Sequence, residues 1–130
     1  MTDSENFTHE NSANKNDHRF FDLSAEMLAV ASTRDGLLKR VNPAFCNAFG
    51  WSGQELLKKH YIDLVHPDDL EKSQRAIGDM SSDKPRTSLE NRICCKDGGY
   101  KRIVWNIAQF PSEGLIYCAG KERERAEEVP

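Results

Sequence analysis

The sequence has no stretch that could cross a membrane and no secretion signal. No apolar run approaches the roughly 20 residues that a transmembrane helix requires. The chain begins Met-Thr-Asp-Ser-Glu-Asn, which lacks the basic and apolar regions of a signal peptide. We therefore expect a cytoplasmic protein without membrane insertion.

Cys-x-x-Cys pairs are absent, and the cysteine spacing does not suit a metal site. The four cysteines are Cys46, Cys94, Cys95 and Cys118, and no two of them form a Cys-x-x-Cys pair. Adjacent strand residues point to opposite faces, so Cys94 and Cys95 cannot chelate together. We expect structural thiols in a reducing compartment and no bound metal. Whether Cys94 is exposed enough to be a redox target stays open at this level.

Basic charge is not in excess, and the length suits one domain. The 130 residues include 18 Lys and Arg against 21 Asp and Glu, which gives a net charge of −3. Nucleic acids and anionic membranes attract clustered Lys and Arg, so neither is an expected partner. A chain of this length forms one domain with a short tail.

Motifs for catalysis are absent. The chain has no phosphate-binding loop, no His-Glu-x-x-His helix and no Ser/His/Asp spacing. Asp68 and Asp69 are adjacent carboxylates, but an acid/base pair would also need a cleft and separated pKa values. Both positions suit the first turn of a helix, where acids are favourable. We predict no catalytic residues in this chain.

The N-terminal part divides into two segments. Residues 1–17 are polar and cannot bury enough surface to offset the entropy of ordering, so they are predicted to be a disordered tail. The next segment, residues 18–24, carries Phe20, Phe21 and Leu23 and is predicted to be a helix that docks on the domain. These three side chains are the interface candidates.

Three helix starts follow one another. Asn42 is a strong N-cap and Pro43 suits the first helical position, while Gly50 can end that helix. Ser52 and Glu55 form a capping box at the start of a second helix.

Two leucines should supply the apolar side of that second helix, Leu56 and Leu57. His66-Pro67 starts the third helix, in which Ile77 belongs to a sparse apolar stripe.

The strand signals lie on either side of these helices. Residues 27–32 and 37–41 flank an Asp-Gly turn and predict a hairpin. From Thr87 the period is two, and residues 100–110 and 115–119 predict two more strands. The order of elements predicts an α+β domain with an antiparallel sheet.

The strand over residues 100–110 is apolar on both faces, so both faces need a cover. The helices can cover one face. The segment with Phe20, Phe21 and Leu23, or a second subunit, must cover the other. Periodicity leaves open which face Trp105 occupies.

Six motifs in order and spacing resemble a PAS domain of the sensory-box type, which is found in bacterial sensor histidine kinases and diguanylate cyclases. They are VNPAF (41–45), GWSGQELL (50–57), DLVHPDD (63–69), ENRICCKDGGY (90–100), WN (105–106) and GLIY (114–117). The resemblance covers about residues 20–121, and we place the domain at 18–121. It implies a five-stranded antiparallel sheet with helices packed on one face and a pocket between them.

The resemblance also implies a function. Such domains are sensory input modules of two-component-type systems, and they regulate a histidine kinase or diguanylate cyclase through ligand binding, dimerisation or both. Kinase or cyclase activity would lie in an effector domain or partner, and a homodimer is expected. The alternatives are a ligand-free dimerisation scaffold and a redox sensor that carries flavin or haem. Relatives continue with an Asp-(Ile/Val)-Thr motif, whereas this chain has Gly-Lys-Glu from position 120, so residues 122–130 are interpreted as the start of a signalling linker.

The pocket implied by the resemblance combines apolar residues of the helices and strands. Its candidates are Phe45, Phe49, Ile77, Asn91, Ile93, Trp105 and Cys118. Asn91 has two interpretations, because it can contact a ligand or bond a neighbouring group, as buried amides usually do.

The cofactor stays unknown at this level. Cys46 lies outside the Asn-Cys-Arg helix of light-sensing relatives, so a flavin adduct is not indicated. His60 and His66 suit a helix end and a helix start better than haem ligation. No cofactor is required by the sequence.

Overall fold

One antiparallel sheet organises the chain in the computed structural model, which describes residue 16 and residues 18–123. The strands are β1 (Met27–Ser32), β2 (Leu38–Val41), β3 (Arg86–Cys94), β4 (Tyr100–Phe110) and β5 (Leu115–Glu122). Their spatial order is β2-β1-β5-β4-β3, and every neighbouring pair is antiparallel. The predicted α+β class and five-stranded sheet are confirmed.

Three α-helices and one 3-10 helix connect β2 to β3. They are α1 (Pro43–Phe49), α2 (Gly53–Leu56), the 3-10 helix Tyr61–Leu64 and α3 (Pro67–Gly78). Residues 18–23 are also helical. No helix in the described part of the chain is long and apolar enough to cross a membrane.

The predicted helix boundaries rest on hydrogen bonds that the structure contains. Asn42 caps α1, and Gly50 ends it in the left-handed conformation with a φ of 82°. The Ser52 hydroxyl accepts from the Glu55 amide at 3.1 Å, and the Glu55 carboxylate accepts from the Ser52 amide at 2.9 Å. The predicted capping box and helix starts are therefore confirmed.

One prediction about α2 is wrong. The helix is a single turn that ends at Leu56, which is fully buried, while Leu57 is 43% exposed. A single turn presents too narrow an apolar face to bury two consecutive residues.

The two faces of β4 differ in burial. Ile103, Trp105 and Ile107 are buried on the face that the helices cover, which we call the inner face. Val104 and Phe110 point to the opposite, outer face and are about two-fifths exposed, at 39% and 42%. The helices therefore pack on one face, as predicted.

The N-terminal segment covers only a small part of the outer face. Phe21 is half-buried, with the Arg40 guanidinium 3.9 Å from its ring centre. Phe20 and Leu23 are 79% and 81% exposed. Coverage of the whole outer face by residues 18–24 is therefore wrong, and coverage by a second subunit stays a prediction. The predicted tail, residues 1–17, lies outside the described residues except for residue 16, which is helical.

Strand β5 is longer than predicted. Lys121 and Glu122 pair with Val104 and Ile103 of β4. Glu122, the first residue of the predicted linker, is the last residue of β5, and the linker itself stays a prediction. The predicted strand end at residue 119 is wrong. The reason is that β4 begins early enough to offer backbone partners to these polar residues. Residues 124–130 of the predicted linker lie outside the described part.

Asn42 joins three elements as well as capping α1. Its buried Oδ1 accepts from the Leu28 amide at 2.9 Å and from the Phe45 amide at 3.0 Å. Its Nδ2 donates to the carbonyls of Phe21 at 3.0 Å and Glu26 at 2.9 Å. One amide thus ties the N-terminal segment, β1 and α1 together.

We predict that Asn42→Ala lowers the free energy of unfolding by about 3 kcal/mol, because it removes the cap and leaves buried backbone groups unpaired. Asn42→Asp keeps the accepting oxygen and loses the donor, so its loss should be smaller. Urea unfolding followed by tryptophan fluorescence measures both. Asn47→Ala, at an exposed position of α1, is the control. Similar losses for Asn42→Ala and Asn47→Ala would contradict the prediction.

Candidate functional site

A small cavity lies between the inner face of the sheet and the helices. Its volume is about 70 Å³. Strands β1 to β5 supply one wall, while α1, the 3-10 helix and α3 supply the other. The site therefore combines all the main elements of the fold.

Most of the predicted pocket residues line this cavity. Six of the seven do so, namely Phe45, Ile77, Asn91, Ile93, Trp105 and Cys118. Phe49 does not, because it lies behind Phe45, and the two ring centres are 4.9 Å apart in an edge-to-face contact. That these residues contact a ligand stays a prediction.

The sequence reasoning missed several lining residues. Ala29 and Ala31 of β1 face the cavity, and their small side chains leave its space open. Tyr61 belongs to the 3-10 helix, which carries no apolar repeat that could identify it. Ser73 is a polar residue on α3, and only its neighbours across the fold reveal why it is buried.

Trp105 points to the inner face, which resolves the question left open by periodicity. Its indole Nε1 donates to Asn91 Oδ1 at 2.8 Å. The ring lies over Gly120 of β5, where an added Cβ would be 2.5 Å from ring atom Cζ3. Any larger residue at position 120 would displace the indole from the cavity wall.

Asn91 takes part in a buried chain of hydrogen bonds. Its Nδ2 donates to the Ser73 hydroxyl at 3.1 Å, and that hydroxyl donates to the Asp69 carbonyl at 2.8 Å. The neighbour-bonding interpretation of Asn91 is therefore what the structure contains, although the side chain also lines the cavity.

This series of hydrogen bonds ends at an ion pair between Asp69 and Arg92, which the sequence did not indicate. The Asp69 carboxylate accepts from the Arg92 backbone amide at 2.8 Å, from Nε at 2.9 Å and from Nη2 at 2.8 Å. The Asp69 side chain is only 8% exposed. Hydrogen bonds from the Arg92 side chain hold the pKa of Asp69 well below its usual range. Trp105, Asn91, Ser73, Asp69 and Arg92 are called the polar chain below.

The cavity wall carries no charge at neutral pH. Burial raises the pKa of the Cys118 thiol to about 12. Burial also raises the pKa of Tyr61, with a smaller contribution from Cys118. No Asp, Glu, Lys, Arg or His lines the cavity. The part of a ligand that enters must therefore be uncharged.

The residues present do not fit haem or flavin. Pockets for ligands of that size measure roughly 300–1,000 Å³, far more than the space available here. His60 Nδ1 accepts a hydrogen bond from the Ile62 amide at 3.2 Å, and His66 Nδ1 accepts one from the Asp68 amide at 3.0 Å. Neither histidine lines the cavity. Among the described residues, no three His, Cys, Asp or Glu side chains form a group suited to a metal ion.

Comparison with known proteins identifies the family. A family model described as the PAS fold matches residues 38–118, which is more than half of the chain. A comparison with curated proteins found no significant match.

Solved PAS domains share this fold. The PAS domain of an HTR-like protein from Haloarcula marismortui superposes with a TM-score of 0.74 at 22% identity and covers 95% of this chain and 100% of its own. A domain of a sensory box sensor histidine kinase/response regulator from Geobacter sulfurreducens superposes with a TM-score of 0.67 at 20% identity. The match covers 83% of this chain and 93% of that domain. Cycle PAS-B from Drosophila melanogaster with bound ethylene glycol superposes with a TM-score of 0.67 at 16% identity. The match covers 75% of this chain and 99% of that domain.

We predict that Asp69→Asn lowers the free energy of unfolding by about 3 kcal/mol at pH 6, because it leaves the Arg92 guanidinium without its anion. The pKa of Asp69 is lower in the folded protein than in the unfolded chain, where it is about 4. The ion pair therefore contributes its full stability at pH values above about 4, and that stability is lost as the pH falls toward the pKa of the folded state. The difference from the wild type should therefore shrink between pH 5 and pH 2.5. Urea unfolding at several pH values measures it, with Asp83→Asn in an exposed loop as the control. A difference that does not change with pH would contradict the prediction.

Proposed function

This chain belongs to the PAS fold family, and we propose that it is a cytoplasmic sensory input module of a bacterial two-component-type system. In this proposal it regulates a histidine kinase or a diguanylate cyclase, which lies in an attached effector domain or a partner protein. The likeness to a domain of a sensor histidine kinase/response regulator supports the signalling role. The neutral apolar cavity is the observation that carries the ligand-sensing part.

The cavity limits the signal to a small molecule. An apolar cavity of about 150 Å³ accepts benzene, so one of 70 Å³ has room for roughly three or four carbon atoms. The structural relative Cycle PAS-B, which was solved with ethylene glycol, supports a ligand of this size. The ligand class is therefore a small uncharged molecule or the uncharged part of a larger one.

The signal is a change in how α3 packs against the sheet. The polar chain joins α3, through Ser73 and Asp69, to β3 and β4. A ligand that displaces Trp105 or Asn91 also strains the hydrogen bonds that hold α3 to the sheet. It shifts the equilibrium between two packings only if it binds them with different affinities.

We predict that Ala31→Leu abolishes ligand binding, because the larger side chain fills the cavity that Ala31 lines. Native mass spectrometry of the chain purified without added ligand should show an additional mass that is lost on denaturation. That mass should be absent from Ala31→Leu and retained in Ala119→Leu. The Ala119→Leu substitution adds the same volume on the outer face of the sheet, so it is the matched control. Retention of the mass in a folded Ala31→Leu protein would place the ligand elsewhere.

A second candidate function, a dimerisation scaffold, is favoured by the exposed apolar side chains of the outer face. Val104, Phe110 and Tyr117 are exposed there, and Phe20 and Leu23 are exposed on the N-terminal segment. Exposed apolar side chains grouped on one face can mark a protein interface. A second copy of the chain is the occupant that we propose, and dimerisation is compatible with ligand sensing.

We predict that Phe20→Asp converts a dimer into a monomer, because a charge would then lie in the apolar interface. Light scattering across a concentration series measures the mass. Leu57→Asp, an exposed leucine on the helical side of the domain, should leave the mass unchanged. A wild-type protein that stays monomeric, or a Phe20→Asp variant that stays dimeric, would rule out this interface.

A further inference from the structure

The inner-face row of β4 ends in a polar residue. Every second residue of a strand faces the same side, so Gln109 follows Ile103, Trp105 and Ile107 on the inner face. The Gln109 Oε1 atom is buried and has no hydrogen-bond partner. Within residues 18–123 it is the one buried side-chain nitrogen or oxygen with this property. Such unpaired groups are rare in native proteins and call for an explanation.

Gln109 lies in a depression beside the apolar cavity. This depression, which we call the vestibule, has a volume of about 290 Å³ and is bounded by the β1–β2 turn (residues 32–36), His60 and Gln109. Three further side chains line both the vestibule and the cavity, namely Tyr61, Ile77 and Ile116. The two spaces are therefore adjacent and share these three side chains as lining.

Some of the other polar side chains of the vestibule have hydrogen-bond partners. The Asp35 carboxylate accepts from the Leu37 amide at 3.0 Å and pairs with Lys39 Nζ at 3.1 Å. His60 Nδ1 accepts from the Ile62 amide at 3.2 Å. Gln109 Oε1 is the buried acceptor of the vestibule that has no partner, and a molecule in the vestibule can satisfy it.

We propose that the vestibule is the entrance to the cavity and binds the polar end of a small amphiphile. The polar end carries a hydroxyl or an amide N–H, which donates to Gln109 Oε1. The apolar end, of about three or four carbon atoms, passes between Tyr61 and Ile77 into the neutral cavity. Gln109 as a whole residue is only half-buried, so rotation of its side chain brings the oxygen to the vestibule. This inference rests on the proposed ligand-sensing function and adds the class and orientation of the ligand.

The entrance also suits the proposed signal. Ile77 lies in the last turn of α3, whereas Asp69 lies in the first turn, which the ion pair with Arg92 holds to β3. A ligand between Tyr61 and Ile77 therefore acts on the end of α3 that the polar chain does not hold.

Two isomeric probes test the proposal on the full chain. 1-Butanol and methyl propyl ether contain the same atoms, but only the alcohol donates a hydrogen bond. Amide chemical shifts in ¹⁵N–¹H spectra, recorded over millimolar titrations, give the affinity of each probe. We expect wild-type protein to bind the alcohol about fivefold more tightly, which is the effect of one hydrogen bond.

The variants locate the hydrogen bond. Gln109→Leu should weaken binding of the alcohol, leave binding of the ether unchanged and so remove the preference. It replaces the side-chain amide, whose Oε1 has no partner, with an apolar group of similar size and should fold. Gln109→Met, which keeps the chain length, provides a second variant. Gln54→Leu, at an exposed position of α2, should keep the wild-type preference.

The outcomes separate the two proposals. Equal binding of the isomers by wild-type protein, a preference for the ether, or an alcohol preference that survives both Gln109 variants would overturn the role of the vestibule and leave the cavity as a ligand site. If neither isomer perturbs the amides of the inner face, the ligand-sensing function is overturned, and this inference with it.

Discussion

The ion pair between Asp69 and Arg92 is the interaction on which the site depends. It holds the first turn of α3 against β3, and from there Ser73 reaches Asn91, which in turn positions Trp105. A buried polar chain is stabilising only when every member is bonded, because an unpaired group in a low dielectric is costly. The polar chain therefore consists of structural contacts, and the apolar part of the wall is left for a ligand.

The two ends of α3 are held in different ways, the first turn by hydrogen bonds to the sheet and the last turn by apolar packing. The first turn is bonded to the sheet, while the last turn, with Ile77, lines both the cavity and the vestibule. A helix that is hydrogen-bonded to the sheet only near its start can change its tilt without breaking those bonds. The proposed ligand, its entrance and the proposed signal all involve the last turn. Gln109 lines the vestibule together with Ile77, and its buried Oε1 has no hydrogen-bond partner.

Much of the fold could be predicted because its signals are local. Asn42, the capping box at Ser52 and the alternation in β3 and β4 depend on residues a few positions apart, and the structure agrees with each. The errors arose where distant partners decide. The end of β5 depends on how far β4 extends alongside it, and the exposure of Leu57 depends on how soon α2 stops.

The sequence by itself determined the order of elements, the alternation of faces along each strand and the family, because strand periodicity and the residues that start and stop helices are local signals. It did not determine which of the two faces of β4 is the inner one. Six of the seven predicted pocket positions line the cavity. Alternation places the strand residues among them on one face, and the family resemblance implied the pocket. Only the tertiary structure decided that Asp69 pairs with Arg92, 23 positions away, that Tyr61 lines the cavity and that Gln109 lacks a partner. Each of these facts depends on which distant side chains meet, and no local pattern encodes that meeting.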